Sequence, residues 1–142
     1  AGQAVFGGGT PVIAAAISSC DAEAIAEGAR RMKAAGARVL RVRAPFLGSL
    51  LPVEQAASEN GLTLLAPFGQ STKLPAVREI SYFSNPGVRR EGGAGSDPVL
   101  LQRPAGSTIE ELLIAAEQVL AAGNSQVILC EAGIRSPESP GR

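Results

Sequence analysis

The chain has 142 residues, and its 13 lysines and arginines are balanced by 13 aspartates and glutamates. That length allows one domain with a real core, and 45% hydrophobic residues place it among globular rather than disordered chains. A zero formal net charge gives no overall field for nucleic acid or an anionic membrane, and no apolar run is long enough to span a bilayer.

Pro11 to Ser19 is an apolar run between Gly7-Gly8-Gly9 and Asp21, and it reads as a buried parallel strand. Asp21 suits the N-cap of a helix with Ile25, Ala29 and Met32 on its apolar face and Gly36 as its stop. Arg38 to Arg43 is the second strand. Pro45 to Pro52 reads as loop, Val53 to Asn60 as a short helix and Leu62 to Ala66 as the third strand. Leu74 to Glu79 is predicted as a helical turn and Ile80 to Ser84 as a fourth strand. Asn85 to Asp97 is rich in glycine and charge and reads as loop. Val99 to Arg103 is the fifth strand. Thr108 and Glu111 have capping-box spacing, and the helix they open has Ile109, Leu112, Leu113, Ala116 and Leu120 as its predicted inward face. Gly123 stops it, and Gln126 to Cys130 is the sixth strand. Gly7-Gly8-Gly9 precedes a strand rather than joining strand to helix, so it reads as a turn and not as a phosphate loop.

Strands alternating with helices through short connections predict a parallel α/β architecture. A closed barrel of this type has eight strands and typically about 250 residues. About six parallel strands here predict a partial (β/α) barrel of TIM type over residues 1–135, with 136–142 as a flexible tail. Six strands leave two open edges with little charge on them, so a homo-oligomer is expected.

The absence of histidine removes the commonest general base and metal ligand. With no tryptophan and only 4% aromatics, a base-stacking surface is not expected. Two cysteines, Cys20 and Cys130, are too few for a disulfide framework, and a reduced, cytoplasmic protein is expected.

Met32-Lys-Ala-Ala-Gly-Ala-Arg-Val-Leu-Arg41 and the segment from Pro98 to Gly133 resemble the type I 3-deoxy-7-phosphoheptulonate synthases, which are metal-dependent TIM barrels. That family's first strand carries Ala-Gly-Pro-Cys-Ser, whose cysteine binds the metal. Here the matching residues are Ala14-Ala15-Ala16-Ile17-Ser18, so Ile17 stands at the ligand position. The family's Arg-Gly-Gly-Ala-Phe-Lys-Pro-Arg is Arg41-Val-Arg-Ala-Pro-Phe-Leu-Gly48, which keeps Arg41 and replaces the later lysine and arginine by Phe46 and Gly48. Gly-Ala-Arg corresponds to Gly87-Val88-Arg89. Leu-Lys-Arg is Leu101-Gln102-Arg103 and Cys-Glu-Arg-Gly is Cys130-Glu131-Ala132-Gly133, so two further phosphate-binding cations are replaced. The family's remaining His, Glu and Asp ligands lie on its last strands, before which this sequence stops.

The resemblance thus implies the synthase scaffold without its metal and without most of its phosphate contacts, and no cofactor is expected. Arg41, Arg43, Arg89 and Arg103 near strand ends suit a carboxylate or phosphate. The other reading is that they are solvated, or paired with Glu131, Asp97 or Glu91. Ser18, Phe46, Phe68 and Gln102 are further candidates for lining a ligand site, and Glu131 with Arg103 for acid–base work, although an ion pair is a competing role for Glu131. Cys130 reads as a small core residue, and Cys20 as an inert thiol at a strand end. One expectation is a diverged, metal-independent enzyme of aldol, dehydration or cyclisation type, acting in specialised metabolism on a small molecule bearing a carboxylate or carbonyl. The alternative is a non-catalytic anion-binding or regulatory partner derived from the synthase.

Overall fold

A computed structural model describes residues 4–7, 9, 11–43, 48–81 and 92–131. The chain divides into two compact units, Ala1–Arg78 and Glu79–Arg142. The strands are β1 (Ala14–Ile17), β2 (Val39–Val42), β3 (Thr63–Pro67), β4 (Ala76–Ile80), β5 (Val99–Arg103) and β6 (Val127–Glu131), and they follow one another in the sheet in that order. The helices are α1 (Ala22–Ala34), α2 (Leu51–Glu59) and α3 (Ile109–Ala121).

In the first unit, local signals set α1. The Asp21 carboxylate accepts from the Ala24 N–H at 2.8 Å, with Glu23 in the first turn and Arg31 and Lys33 in the last. Gly36 then turns the chain at φ 93°, a conformation that favours glycine. The helix α2 has no side-chain cap, but Pro52 in its first turn needs no hydrogen-bond acceptor. It begins at Leu51, two residues before the expected start.

β1, β2 and β3 pair in parallel, with Ala16 beside Arg41 and Arg41 beside Leu65. Ile17, Leu40, Val42, Leu64 and Ala66 share one core with Ile25 and Ala29 of α1 and with Val53, Ala56 and Ala57 of α2. Each large buried side chain there stabilises by roughly 1.5–3 kcal/mol relative to exposure. Because strand side chains alternate, Val39 and Arg41 face away from this helix layer.

Three expectations are corrected in this unit. The first strand is shorter than Pro11 to Ser19, and it is not buried throughout: Ala14 and Ala16 are exposed and only Ile17 is buried. Its position at the end of the strand order explains this. The segment read as a helical turn is instead the strand Ala76–Ile80. Pro75 suited the start of a helix, but Val77 and Ile80 fit a buried strand, and tertiary context decides between the two. The fourth strand therefore lies several residues earlier than expected; residues 82–84 are outside the described ones.

In the second unit, β5 and β6 pair in parallel from Val99↔Val127 to Arg103↔Glu131. The capping box forms as expected: the Thr108 hydroxyl accepts from the Glu111 N–H at 3.1 Å, and the Glu111 carboxylate from the Thr108 N–H at 2.8 Å. The buried face of α3 is Leu112, Ala115, Ala116 and Val119. This corrects the predicted inward face, since Ile109, Leu113 and Leu120 are 65%, 48% and 48% exposed. Asn124 is buried and donates to the Gly92 and Asp97 carbonyls while accepting from the Gln126 N–H, tying the turn after α3 to the segment before β5. Residues 92–94 are helical, where loop was expected, and 85–91 are not among the described residues.

Candidate functional site

In the first unit the candidate site is built on the face of β1–β3 turned away from the helices. Its lower layer is Ala14, Val39 and Thr63, in register, and the Thr63 hydroxyl accepts from the Ala4 N–H at 2.8 Å. The N-terminal segment thus covers this end of the face. The next layer is Ala16, Arg41 and Leu65. Arg41 is half-buried and already engaged within the molecule. Its neighbour on the β1 side is only an alanine, so no bulky side chain flanks it there.

Arg43 lies one alternation further along the same face, exposed, just past the end of β2; its N–H donates to the Ile17 carbonyl at 3.2 Å. Ser18 follows β1 and is exposed. Strand pairing therefore brings Arg41, Arg43 and Ser18 to the C-terminal ends of β1 and β2, where parallel α/β folds carry their sites. Phe68 is half-buried directly after β3. Phe46 and Arg89 lie outside the described residues.

The connection after β3 is held by two charged groups that sequence reading did not single out. Glu54 of α2 is 5% exposed, and its carboxylate accepts from the N–H groups of Lys73 and Leu74. Arg78 of β4 donates to the Gln70 carbonyl at 2.7 Å and to the Thr72 hydroxyl at 2.6 Å. A glutamate on the apolar face of a short helix was the available signal; its backbone partners lie about twenty residues away and leave no trace in the sequence.

In the second unit Arg103 and Glu131 sit opposite each other in register and form a two-bond ion pair, Nε to Oε2 at 2.6 Å and Nη2 to Oε1 at 3.0 Å. Arg103 also donates to the Ser107 carbonyl. The Glu131 hydrogen bond holds the Arg103 pKa above its ordinary value. The competing reading of this pair, as ion-pair partners, is the one the structure displays, and together they fasten the β5 and β6 ends to the loop that opens α3. Gln102 is half-buried beside Cys130. Cys130 is itself half-buried and Cys20 is exposed, and the two are not joined in a disulfide.

Ile17 is 5% exposed, and its Cδ1 would stand 3.5 Å from a Cβ on Gly28 of α1. It is a core side chain with no donor atom for a cation. Among the described residues no three His, Cys, Asp or Glu side chains cluster at metal-binding distance. The described donor set therefore does not fit the divalent metal that the resemblance implies.

No protein-family model matches the chain. A phospho-2-dehydro-3-deoxyheptonate aldolase of Thermotoga maritima is 34% identical over 98 residues, which are 63% of this chain and 29% of that protein. A solved truncated 3-deoxy-D-arabino-heptulosonate 7-phosphate (DAHP) synthase from the same organism superposes with a TM-score of 0.79 and 30% identity, over 97% of this chain and 59% of that one. The chain is DAHP-synthase-like. It spans less than a third of the curated DAHP synthase and little more than half of the truncated one. A second structure, of the T. maritima aldolase itself, superposes at 0.76 with 28% identity, over 97% of this chain and 48% of that one. A spore coat polysaccharide biosynthesis protein of Bacillus subtilis shares the fold at a TM-score of 0.71 and 14% identity, over 89% of this chain and 45% of that one. The fold class is α/β, a partial barrel of TIM type with six strands, and the chain is related to biosynthetic synthases.

Proposed function

We propose that the chain is a metal-independent descendant of the DAHP synthases that binds a small molecule by its carboxylate, phosphate or carbonyl group at the C-terminal ends of β1 and β2. The observation that carries this reading is a contrast between neighbouring positions. Arg41 and Arg43 stand on the inner face at the strand end, while Ile17, at the position matching the metal-binding cysteine, is sealed in the helix-side core. One of the family's anion-binding arginines, Arg41, is kept, Arg43 adds a second cation beside it, and at the metal position the cysteine gives way to a packed isoleucine.

Guanidinium groups bind planar oxyanions through paired hydrogen bonds. They also stabilise negative charge developing on a substrate oxygen, which supports aldol, dehydration or cyclisation chemistry by positioning and electrostatics. Phe68 beside the strand ends favours a partly apolar substrate, as expected in specialised metabolism. The second reading, a non-catalytic anion-binding protein, draws on the same arginines and on the Arg103–Glu131 pair, which occupies the most evident acid–base groups with each other.

The test is calorimetry in EDTA with phosphoenolpyruvate, pyruvate and inorganic phosphate as probes. Binding of at least one should persist without metal, and Arg41→Ala should weaken it by roughly 1.5–3 kcal/mol, the worth of a charge-assisted bond. Binding that appears only with a divalent cation, or is untouched by Arg41→Ala, overturns the proposal. Turnover of a keto acid that persists in EDTA separates the enzyme from the binding protein.

A further inference from the structure

The first unit devotes two charged side chains to the connection between β3 and β4. The turn begins where β3 ends: the Gln70 N–H donates to the Pro67 carbonyl at 3.4 Å, and Gly69 takes φ 87°. Arg78 of β4 holds the Gln70 carbonyl and the Thr72 hydroxyl, which itself donates to the Leu74 carbonyl at 3.0 Å. The buried Glu54 carboxylate accepts from the next two N–H groups, of Lys73 and Leu74. Helix α2 joins β2 to its parallel neighbour β3, so it runs back against the strands and its first turn, with Glu54, lies at their C-terminal ends. Stability alone does not call for a carboxylate there. A buried charge costs desolvation, and an apolar side chain beside Val53, Ala56 and Ala57 would stabilise the helix contact without that cost. What the carboxylate adds is a fixed path for residues 68–74.

That path starts beside the candidate site. The register Arg41↔Leu65, carried one alternation further, sets Arg43 next to Pro67, and the half-buried Phe68 follows. We infer that Glu54 is a positioning residue for this site: through the backbone of residues 70–74 it holds Phe68 as an apolar wall at the end of β3, on which the body of the ligand lies while its anionic group meets the strand-end arginines. The inference rests on the proposed function and narrows it to a substrate class, a carboxylate with an aromatic or other flat apolar body. A wall fixed before binding adds affinity, because little has to be ordered when the ligand arrives. The wall touches only the body, so a small carboxylate without one is indifferent to it.

Calorimetry with phenylpyruvate and pyruvate tests it, at a temperature where circular dichroism shows each variant folded. The wild-type chain should bind phenylpyruvate about tenfold more tightly than pyruvate, the effect of one aromatic contact. Glu54→Ala and Phe68→Ala should each remove that preference and leave pyruvate binding as it is. Glu54→Gln keeps an acceptor oxygen for the Lys73 and Leu74 N–H groups and should retain most of the preference. If Glu54→Ala does not fold, Glu54→Asp, which draws the carboxylate back by one methylene, takes its place. Glu54→Ala combined with Phe68→Ala should be no worse than either alone, because one acts through the other. A merely structural Glu54 would weaken both keto acids alike or neither, and its loss would add to that of Phe68. Either result overturns the inference and leaves anion binding at the arginines intact. Binding of neither keto acid also overturns it, and overturns the proposed function as well if phosphoenolpyruvate and inorganic phosphate fail to bind.

Discussion

Glu54 shows how one side chain organises a loop. It is buried on the same face of α2 as Val53, Ala56 and Ala57, where a carboxylate is tolerated only with partners. The N–H groups of Lys73 and Leu74 supply them. Glu54→Ala would leave both amides without this acceptor, at a cost of about 2–3 kcal/mol, whereas Glu54→Gln keeps an oxygen in place and should cost about half as much. Urea unfolding measures both; a loss below about 0.5 kcal/mol in Glu54→Ala would mean that the loop does not depend on this carboxylate. Ile17 lies at the opposite extreme of legibility. Its chemistry could be read from the sequence because a hydrocarbon cannot bind a cation wherever it points. Glu54 could not, because what matters is two distant backbone groups. The strand-end arginines fall between: alternation puts Arg41 and Arg43 on one face, but that Arg103 is tied to Glu131 needed the β5–β6 register.

At the scale of elements, what is coded within a few residues was legible. Asp21 caps α1, Thr108 and Glu111 cap α3, and Val99–Arg103 is the fifth strand, each as the sequence indicates. What depends on distant partners was not. The strand Ala76–Ile80 follows a proline that suits a helix start, and its extended form is held in part by Arg78 reaching Gln70 and Thr72. The apolar residues of α3 extend beyond its buried face, to the exposed Ile109, Leu113 and Leu120, so periodicity alone could not say which part is buried. That correction has a direct test. Val119, omitted from the predicted face, is fully buried, and Leu120, included in it, is 48% exposed. Val119→Ala should cost about 2 kcal/mol and Leu120→Ala less than about 0.5 kcal/mol. The reverse order, by urea unfolding, would restore the face inferred from periodicity.

For the whole molecule the question is whether a DAHP-synthase-like fold has kept the DAHP synthase reaction. The fold argues for common descent, with 97% of the chain superposing on a synthase. The side chains argue against retained chemistry. The family that the sequence resembles has its metal-binding cysteine where this chain has Ile17, packed against α1, and a phosphate-binding lysine where this chain has Gln102 in β5. Supplied with manganese, phosphoenolpyruvate and erythrose 4-phosphate, the chain should therefore form no product above a thousandth of a typical enzyme rate of ~10 s⁻¹. Elemental analysis after purification in manganese should find no near-stoichiometric, chelator-removable metal. The two measurements are informative together. Metal bound without turnover would put the ligands on groups other than Ile17 and refute metal independence while leaving the loss of activity intact. Turnover with metal would show that the strand-end arginines still serve the ancestral substrates, and the reading of a repurposed site would fall.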